Sequence, residues 1–303
     1  MQISSNWAEL LLPGLRKIYD KQMDKKKDYI PVLFNVDTSN SAQEFTLGVG
    51  AMGLMQEWNS AGGQVYYEDY AKGYKTTYTH KKYGLGLQIE KELLEDDKYS
   101  EIKKRVRALA DSVWNTRQYY AADYFNNAFN ATYAGADTYA LCSASHTKSP
   151  TDTTTWSNYS TAYELDADNV ETVRNAMLAW TDDKGNYLQI DTDNLALLVP
   201  PGLRKAALVI ADSGGEPDTA DNNVNIWKGA IKVIEWTRLT DSNAWFMIDL
   251  TRAKKLLNWF DRKKAAIEGP DVDFDTEAAK YKVTSRFSFG HDDPSFIYGC
   301  NPS

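Results

Sequence analysis

Hydrophobic positions give the clearest signal between residues 100 and 133. Ile102, Val106, Leu109, Val113, Tyr120, Tyr124 and Ala128 step by three and four, the spacing of one apolar helix face. At about 1.5 Å per residue such a helix is roughly 45 to 50 Å long, long enough to act as a strut. Glu95, Asp96 and Asp97 stand before it, where acidic groups complement the positive end of the helix dipole. Upstream, residues 5–27 predict a helix with Trp7, Leu10, Leu11, Leu15, Ile18 and Tyr19 on its apolar face, kinked or split at Pro13-Gly14. Residues 30–36 and 45–49 read as short strands.

Between 62 and 90 the pattern changes. Tyr66, Tyr70, Tyr74 and Tyr78 recur every fourth residue, which fits a helix face and also keeps one parity along a strand. Gly62, Gly63, Gly73, Gly84 and Gly86, with Thr76, Thr77 and Thr79, favour the extended choice. The reading is a hairpin turning near Lys72-Gly73, then a strand through Leu85, Leu87 and Ile89. A lone two-stranded ribbon is marginal in water, so one that projects needs a partner from another subunit.

Residues 130–161, rich in Thr, Ser, Ala, Asp and Asn, predict a long irregular connection pinned by Trp156 and Tyr159. The second half is α/β in character. Asp168-Asn169-Val170-Glu171 reads as a capping box for a helix carrying Val170, Val173, Met177 and Leu178. A buried strand at 195–199 precedes a helix begun by Pro200-Pro201, with Leu203, Ala206, Ala207 and Ile210 facing inward. A polar loop spans 212–223. Strands at 231–236 and 244–248 flank a turn at Asp241-Ser242-Asn243, and a short helix covers 253–260. Strands at 279–289 and 295–300 bracket His291-Asp292-Asp293-Pro294.

Composition narrows the function. With 43% hydrophobic and 25% charged residues the 303-residue chain is ordinary for a globular protein. Its 19 Tyr and 9 Trp fit either extensive subunit contacts or an aromatic core. A net charge of −8 argues against tight nucleic-acid binding but not against a protein that surrounds nucleic acid. Lys25-Lys26-Lys27 and Lys103-Lys104-Arg105 read as solvated helix faces. Two cysteines, Cys142 and Cys300, allow one disulfide at most and suit a reducing compartment. Neither a signal peptide nor an apolar run of membrane-spanning length is expected.

Reactive constellations are weak. Cys142 and His146 lie four residues apart in a Ser/Thr-rich loop without the frame of a Cys-His hydrolase, and supply at most two of four zinc ligands. Asp271, Asp273 and Asp275 imitate part of a calcium loop but lack its Gly and distal Glu, and read as an acidic linker. Gly48-Val49-Gly50-Ala51-Met52-Gly53 lacks the Lys of a phosphate loop. Glu90/Glu92 and Glu95/Asp96 suit cap and surface roles. No enzyme, cofactor or metal is expected.

Several segments in order carry a resemblance. They are 48–53, 88–99, Phe125-Asn126-Asn127-Ala128-Phe129, Leu141-Cys142-Ser143-Ala144-Ser145-His146, 197–203, 225–229, 239–246, Arg286-Phe287-Ser288-Phe289-Gly290 and Phe296-Ile297-Tyr298-Gly299. Together the chain resembles the major capsid proteins of tailed bacteriophages with the HK97 fold, in particular the Mu-type major head subunit branch. It departs from the branch at Asp137-Thr138, Cys142 and Thr147. The resemblance implies an α+β fold: an N-terminal arm and start of a peripheral domain at 1–54, an extended β-hairpin loop at 55–90, a peripheral domain at 91–165 crossed by a spine helix at about 99–133, an axial α/β domain at 166–270, and closing peripheral strands at 271–303. The function implied is a structural shell subunit. Its partners would be copies of itself in pentamers and hexamers, a separate scaffolding protein, a portal and a maturation protease, with non-specific enclosure of double-stranded DNA and no membrane. The implied location is the virion, after assembly in the host bacterial cytoplasm. Inter-subunit contact candidates are Tyr66, Tyr70, Lys72, Tyr74, Lys75 and Tyr78 on the ribbon, Trp7 on the first helix and Asp218 in the polar loop. Lys72 and Lys75 match by position the cross-linking Lys of certain relatives, an activity not carried over. The alternatives are an encapsulin-like compartment and, less favoured, a hydrolase using Cys142.

Overall fold

The computed structural model describes residues 7–58, 63, 65–96, 98–215, 224–273 and 275–302. It opens with α1 (Trp7–Met23), which runs unbroken through Pro13. The hydrogen bond that Pro13 cannot make lies on the exposed side of the helix, so the expected split does not occur. Trp7, Leu15 and Tyr19 are buried as expected, whereas Leu10 faces solvent. Residues 30–36 are not one strand. They form a helical turn, α2 (Ile30–Leu33), followed by β1 (Asn35–Thr38). The Asp28 carboxylate accepts the Ile30 N–H at 2.9 Å, and Pro31 sets the turn.

Next come β2 (Gln43–Val49), β3 (Lys72–Thr79), β4 (Lys81–Glu90), α3 (Lys91–Glu95) and the long α4 (Tyr99–Asn126). The 28 residues of α4 make it about 42 Å long, and it buries Ile102, Val106, Leu109 and Val113. The expected acidic cap is not made: Glu95 belongs to α3, Lys98 is the N-cap without a side-chain bond, and Asp96 pairs with Lys98 at 3.0 Å. Asp97 lies outside the described residues.

The irregular connection follows, stitched by β5 (His146–Thr147), β6 (Thr155–Trp156) and β7 (Tyr159–Ser160). Buried Asn158 pins it: its amide donates to the carbonyls of Leu141 at 2.9 Å and Ile297 at 3.2 Å, and its oxygen accepts the Ser143 N–H at 2.8 Å. Then α5 (Ala167–Leu178) is capped by Asp166, two residues before the expected cap. β8 (Leu195–Val199), α6 (Arg204–Asp212), β9 (Lys232–Glu235) and β10 (Trp245–Asp249) follow. α7 (Leu250–Leu256) starts earlier than expected because the Asp249 carboxylate accepts the N–H groups of Thr251 and Arg252 at 2.9 and 3.0 Å. Trp259 and Phe260 therefore enter a 16-residue strand, β11 (Leu257–Val272). The Trp259 ring stacks on Phe287 at 4.7 Å and on Phe289 at 5.1 Å, which holds that strand extended. β12 (Ala278–His291) and β13 (Ile297–Cys300) close the chain. The acidic run is not a linker: Asp271 lies in the paired end of β11 opposite Lys280, and Asp273 and Asp275 follow in the turn to β12, with Asp273 paired to Lys280 at 2.5 Å.

Two sheets organise the molecule. One has the order β1-β11-β12-β4; the other is β7-β13-β10-β8-β9. The expected strands at 231–236 and 244–248 both exist, but β8 lies between them. Residues 271–303 divide: β12 stays with β11, whereas β13 joins β10 in the second sheet. α1 and α4 cover the first sheet through Ile89, Val106, Leu109, Ile267, Tyr281 and Val283. A second cluster joins α5, α6 and one face of the five-stranded sheet, and a third joins the end of α4 to its other face.

Candidate assembly interface

The tyrosine-bearing segment folds differently from the hairpin expected at Lys72-Gly73. β3 pairs antiparallel with β2, Val49 opposite Lys72 and Gln43 opposite Thr79, and a long excursion lies between them, described at 50–58, 63 and 65–71. At its neck the strands nearly touch. A side chain at Gly73 would lie 2.6 Å from the Gly48 carbonyl carbon, so only glycine closes the ribbon there. Beyond the neck, polar contacts shape the excursion. The Glu68 carboxylate accepts the Gly53 N–H at 2.8 Å and pairs with Lys184 at 2.6 Å, and both contacts hold it below the usual carboxylate range. Asp183 accepts the Ala51 N–H at 2.9 Å.

Of the apolar side chains described along the excursion, Trp58 donates its ring N–H to the Gly63 carbonyl at 2.9 Å, and most of the rest are open to solvent. Met55 is 100% exposed, Tyr67 88% and Leu54 82%, and Met52, Trp58 and Val65 also face solvent. Exposed apolar side chains gathered on one segment suit a surface that another molecule covers.

The ribbon's root is bolted to the body at Asp292. One carboxylate oxygen accepts the hydroxyls of Tyr78, at 2.5 Å, and Thr46; the other accepts the Asn258 amide at 2.8 Å. Burial raises the Tyr78 phenol far above its ordinary range, so it serves as a donor. His291 beside this node is also buried, with Nδ1 bonded to the Tyr124 hydroxyl, and burial lowers its pKa to about 4.

The structure separates the candidate contact residues into two groups. Tyr66 and Tyr70 are 60% and 62% exposed on the excursion. Lys72 begins β3, the Tyr74 hydroxyl meets Thr147 at 2.5 Å, and the Lys75 ammonium lies 4.9 Å over the Phe45 ring. Tyr78 and Trp7 are buried within their own chain, as supports of the ribbon root and of α1. Asp218 lies outside the described residues. Sequence reasoning missed Asp292 and Asn158, because a buried polar anchor leaves no periodic signal.

Cys142 and His146 do not form a catalytic pair. The buried Cys142 thiol packs under Gly299 and burial drives its pKa well up. His146 Nδ1 is instead bonded to Asp137 at 2.5 Å. Cys142 and Cys300 are both free, and they belong to core clusters on opposite faces of the five-stranded sheet. Among the described residues, no three His, Cys, Asp or Glu side chains converge as a metal site. No helix there is long and apolar enough to cross a membrane.

A mixed α+β subunit with a long strut and an apolar arm left uncovered by its own body belongs to the class of proteins that assemble with copies of themselves. The phage capsid protein family matches residues 73–299, and the chain belongs to that family. No curated protein sequence matches it. Among solved structures, it is similar to the mature capsid of bacteriophage PhiM1, with TM-score 0.58 and 12% identity over 92% of this chain and 88% of that one. It is also similar to the procapsid of bacteriophage JBD30, with TM-score 0.57 and 13% identity over 98% and 75%. A virus-like particle from Pyrococcus furiosus gives TM-score 0.52 and 10% identity over 95% and 98%. At these identities the likeness is one of fold. The fold is the HK97-like capsid fold that the motif order implies, and the chain is a structural capsid protein of the virion, not an enzyme.

Proposed function

We propose that this capsid protein is the major head subunit, closing with its own copies as pentamers and hexamers into an icosahedral shell around double-stranded phage DNA. The observation that carries the reading is the excursion between β2 and β3, where Met52, Leu54, Met55, Trp58, Val65 and Tyr67 stand exposed among the described residues. Tyr66, Tyr70, Lys72, Tyr74 and Lys75 would meet a neighbouring subunit. The layout of arm, extended loop, peripheral and axial parts follows the same reading. A scaffolding protein, a portal and a maturation protease would act on the assembly in the host cytoplasm. Deleting residues 52–70 tests the proposal. We expect a folded protein with an unchanged far-UV spectrum that forms no shells in electron micrographs; normal shells from the deletion would overturn it.

The same fold, which a virus-like particle from Pyrococcus furiosus shares, leaves room for a second reading, a compartment enclosing protein cargo. Particles purified with DNA inside support the first reading, and particles filled with one enzyme support the second.

A further inference from the structure

Gly50 and Gly53 open the excursion, and each makes room for a carboxylate. A side-chain carbon at Gly50 would lie 2.7 Å from Asp183 Oδ2, and one at Gly53 would lie 2.9 Å from Glu68 Oε2, so either would push the acid away. Each gap admits a hydrogen bond to the main chain: Asp183 Oδ1 accepts the Ala51 N–H at 2.9 Å and Glu68 Oε2 accepts the Gly53 N–H at 2.8 Å.

Asp183 stands on a turn at 181–187, between α5 and β8. Local chemistry fixes that turn. Thr181 bridges to Tyr187, and Asp182 Oδ1 accepts the N–H groups of Lys184 and Asn186, each at 2.8 Å. Lys184 then reaches Glu68 at 2.6 Å. The turn is in its turn moored to the ribbon. The Tyr74 hydroxyl on β3 meets Thr147, and the adjoining Lys148 donates to Thr181 Oγ1 at 2.6 Å and to the Asp182 carbonyl at 2.9 Å. These contacts close a ring through β3, the irregular connection, the turn and the base of the excursion. The ring grips backbone and charge, and it leaves Met55 and Tyr67 open to solvent. A lid would cover those side chains; this arrangement sets their direction instead.

We infer that the 181–187 turn is a clasp that aims the excursion of the unassembled subunit, with Asp183 and Lys184 as positioning residues for assembly. The inference rests on the shell reading above. An excursion already held at its base loses less freedom when a neighbour binds, which strengthens the contact and favours growth of the shell.

The double variant Asp183→Ala/Lys184→Ala tests it in two arms. In the unassembled subunit, amide exchange at Ala51 and Gly53 should quicken at least tenfold, with β2, β3 and the thermal melt unchanged. In assembly followed by light scattering, shell growth should slow at least fivefold at equal subunit concentration. Glu68→Gln removes the same ion pair without touching the turn and should slow growth in the same direction. Lys184→Arg keeps the ion pair and should restore the parent's exchange and growth. Unchanged exchange at Ala51 and Gly53 overturns the clasp. Quickened exchange with parent-like growth overturns the positioning role, as does growth slowed equally in Lys184→Arg. Should the parent itself form no shells, the shell reading fails, while the exchange arm still decides whether the clasp exists.

Discussion

At the scale of single residues, the polar side chains beneath the ribbon make stability depend on pH. His291 faces the Tyr124 hydroxyl, Asp137, His146, Asp292 and Asp293, and its Nε2 has no partner among the described residues. Burial outweighs the nearby carboxylates and lowers its pKa from 6.5 to about 4. The unfolded chain then binds a proton that the fold refuses, so stability is full above pH 6.5 and falls as the pH drops toward 4. From this group alone we expect a loss of about 2 kcal/mol between about pH 7 and pH 5. Denaturant melts of the parent and of His291→Gln measure it. A variant that keeps the parent's full pH slope would show that the proton goes elsewhere.

At the scale of elements, the sequence was legible where periodicity or local chemistry decides the structure. The spine stripe at Ile102, Val106, Leu109 and Val113, the buried strand at Leu195–Val199 and the irregular 130–161 connection all appear in the fold. It was opaque where a distant partner decides. Trp259 and Phe260 suit helix or strand, and only stacking against β12 selects the strand. The partner of β3 is β2, across 22 intervening residues, a pairing that no local spacing encodes. The same limit hid Asp292, which joins elements far apart in the chain. The Mu-type branch rests on motif order alone. The neck of the ribbon gives the element-scale prediction. Gly73→Ala places a carbon against the Gly48 backbone and should destabilise the ribbon by about 1 to 3 kcal/mol through overpacking. Amide hydrogen exchange should quicken across β2 and β3 while α4 keeps its protection; equal protection in both proteins would show that the strands part without cost.

For the whole molecule, a neighbouring copy that covers the excursion, as proposed above, would tie stability to assembly. A contact made only between copies favours the folded state by mass action, so the melting temperature should rise with protein concentration in the parent. In the 52–70 deletion it should stay constant; a parent whose melt ignores concentration would mean the arm contributes nothing to cohesion. Legibility at this scale came from the order of many weak motifs, since no single one identifies the shell. One connection carries a mechanical consequence. β3 ends at Thr79 and β4 begins at Lys81, with only His80 between them, gripped by Ser39 and Ser288 at 3.0 Å on either side. Tension applied to the ribbon by internal pressure passes through that residue straight into β4. It loads ten β4–β12 pairs in shear, so that all must slip at once. An overfilled particle should therefore burst along the seams between intact subunits before any one of them unravels.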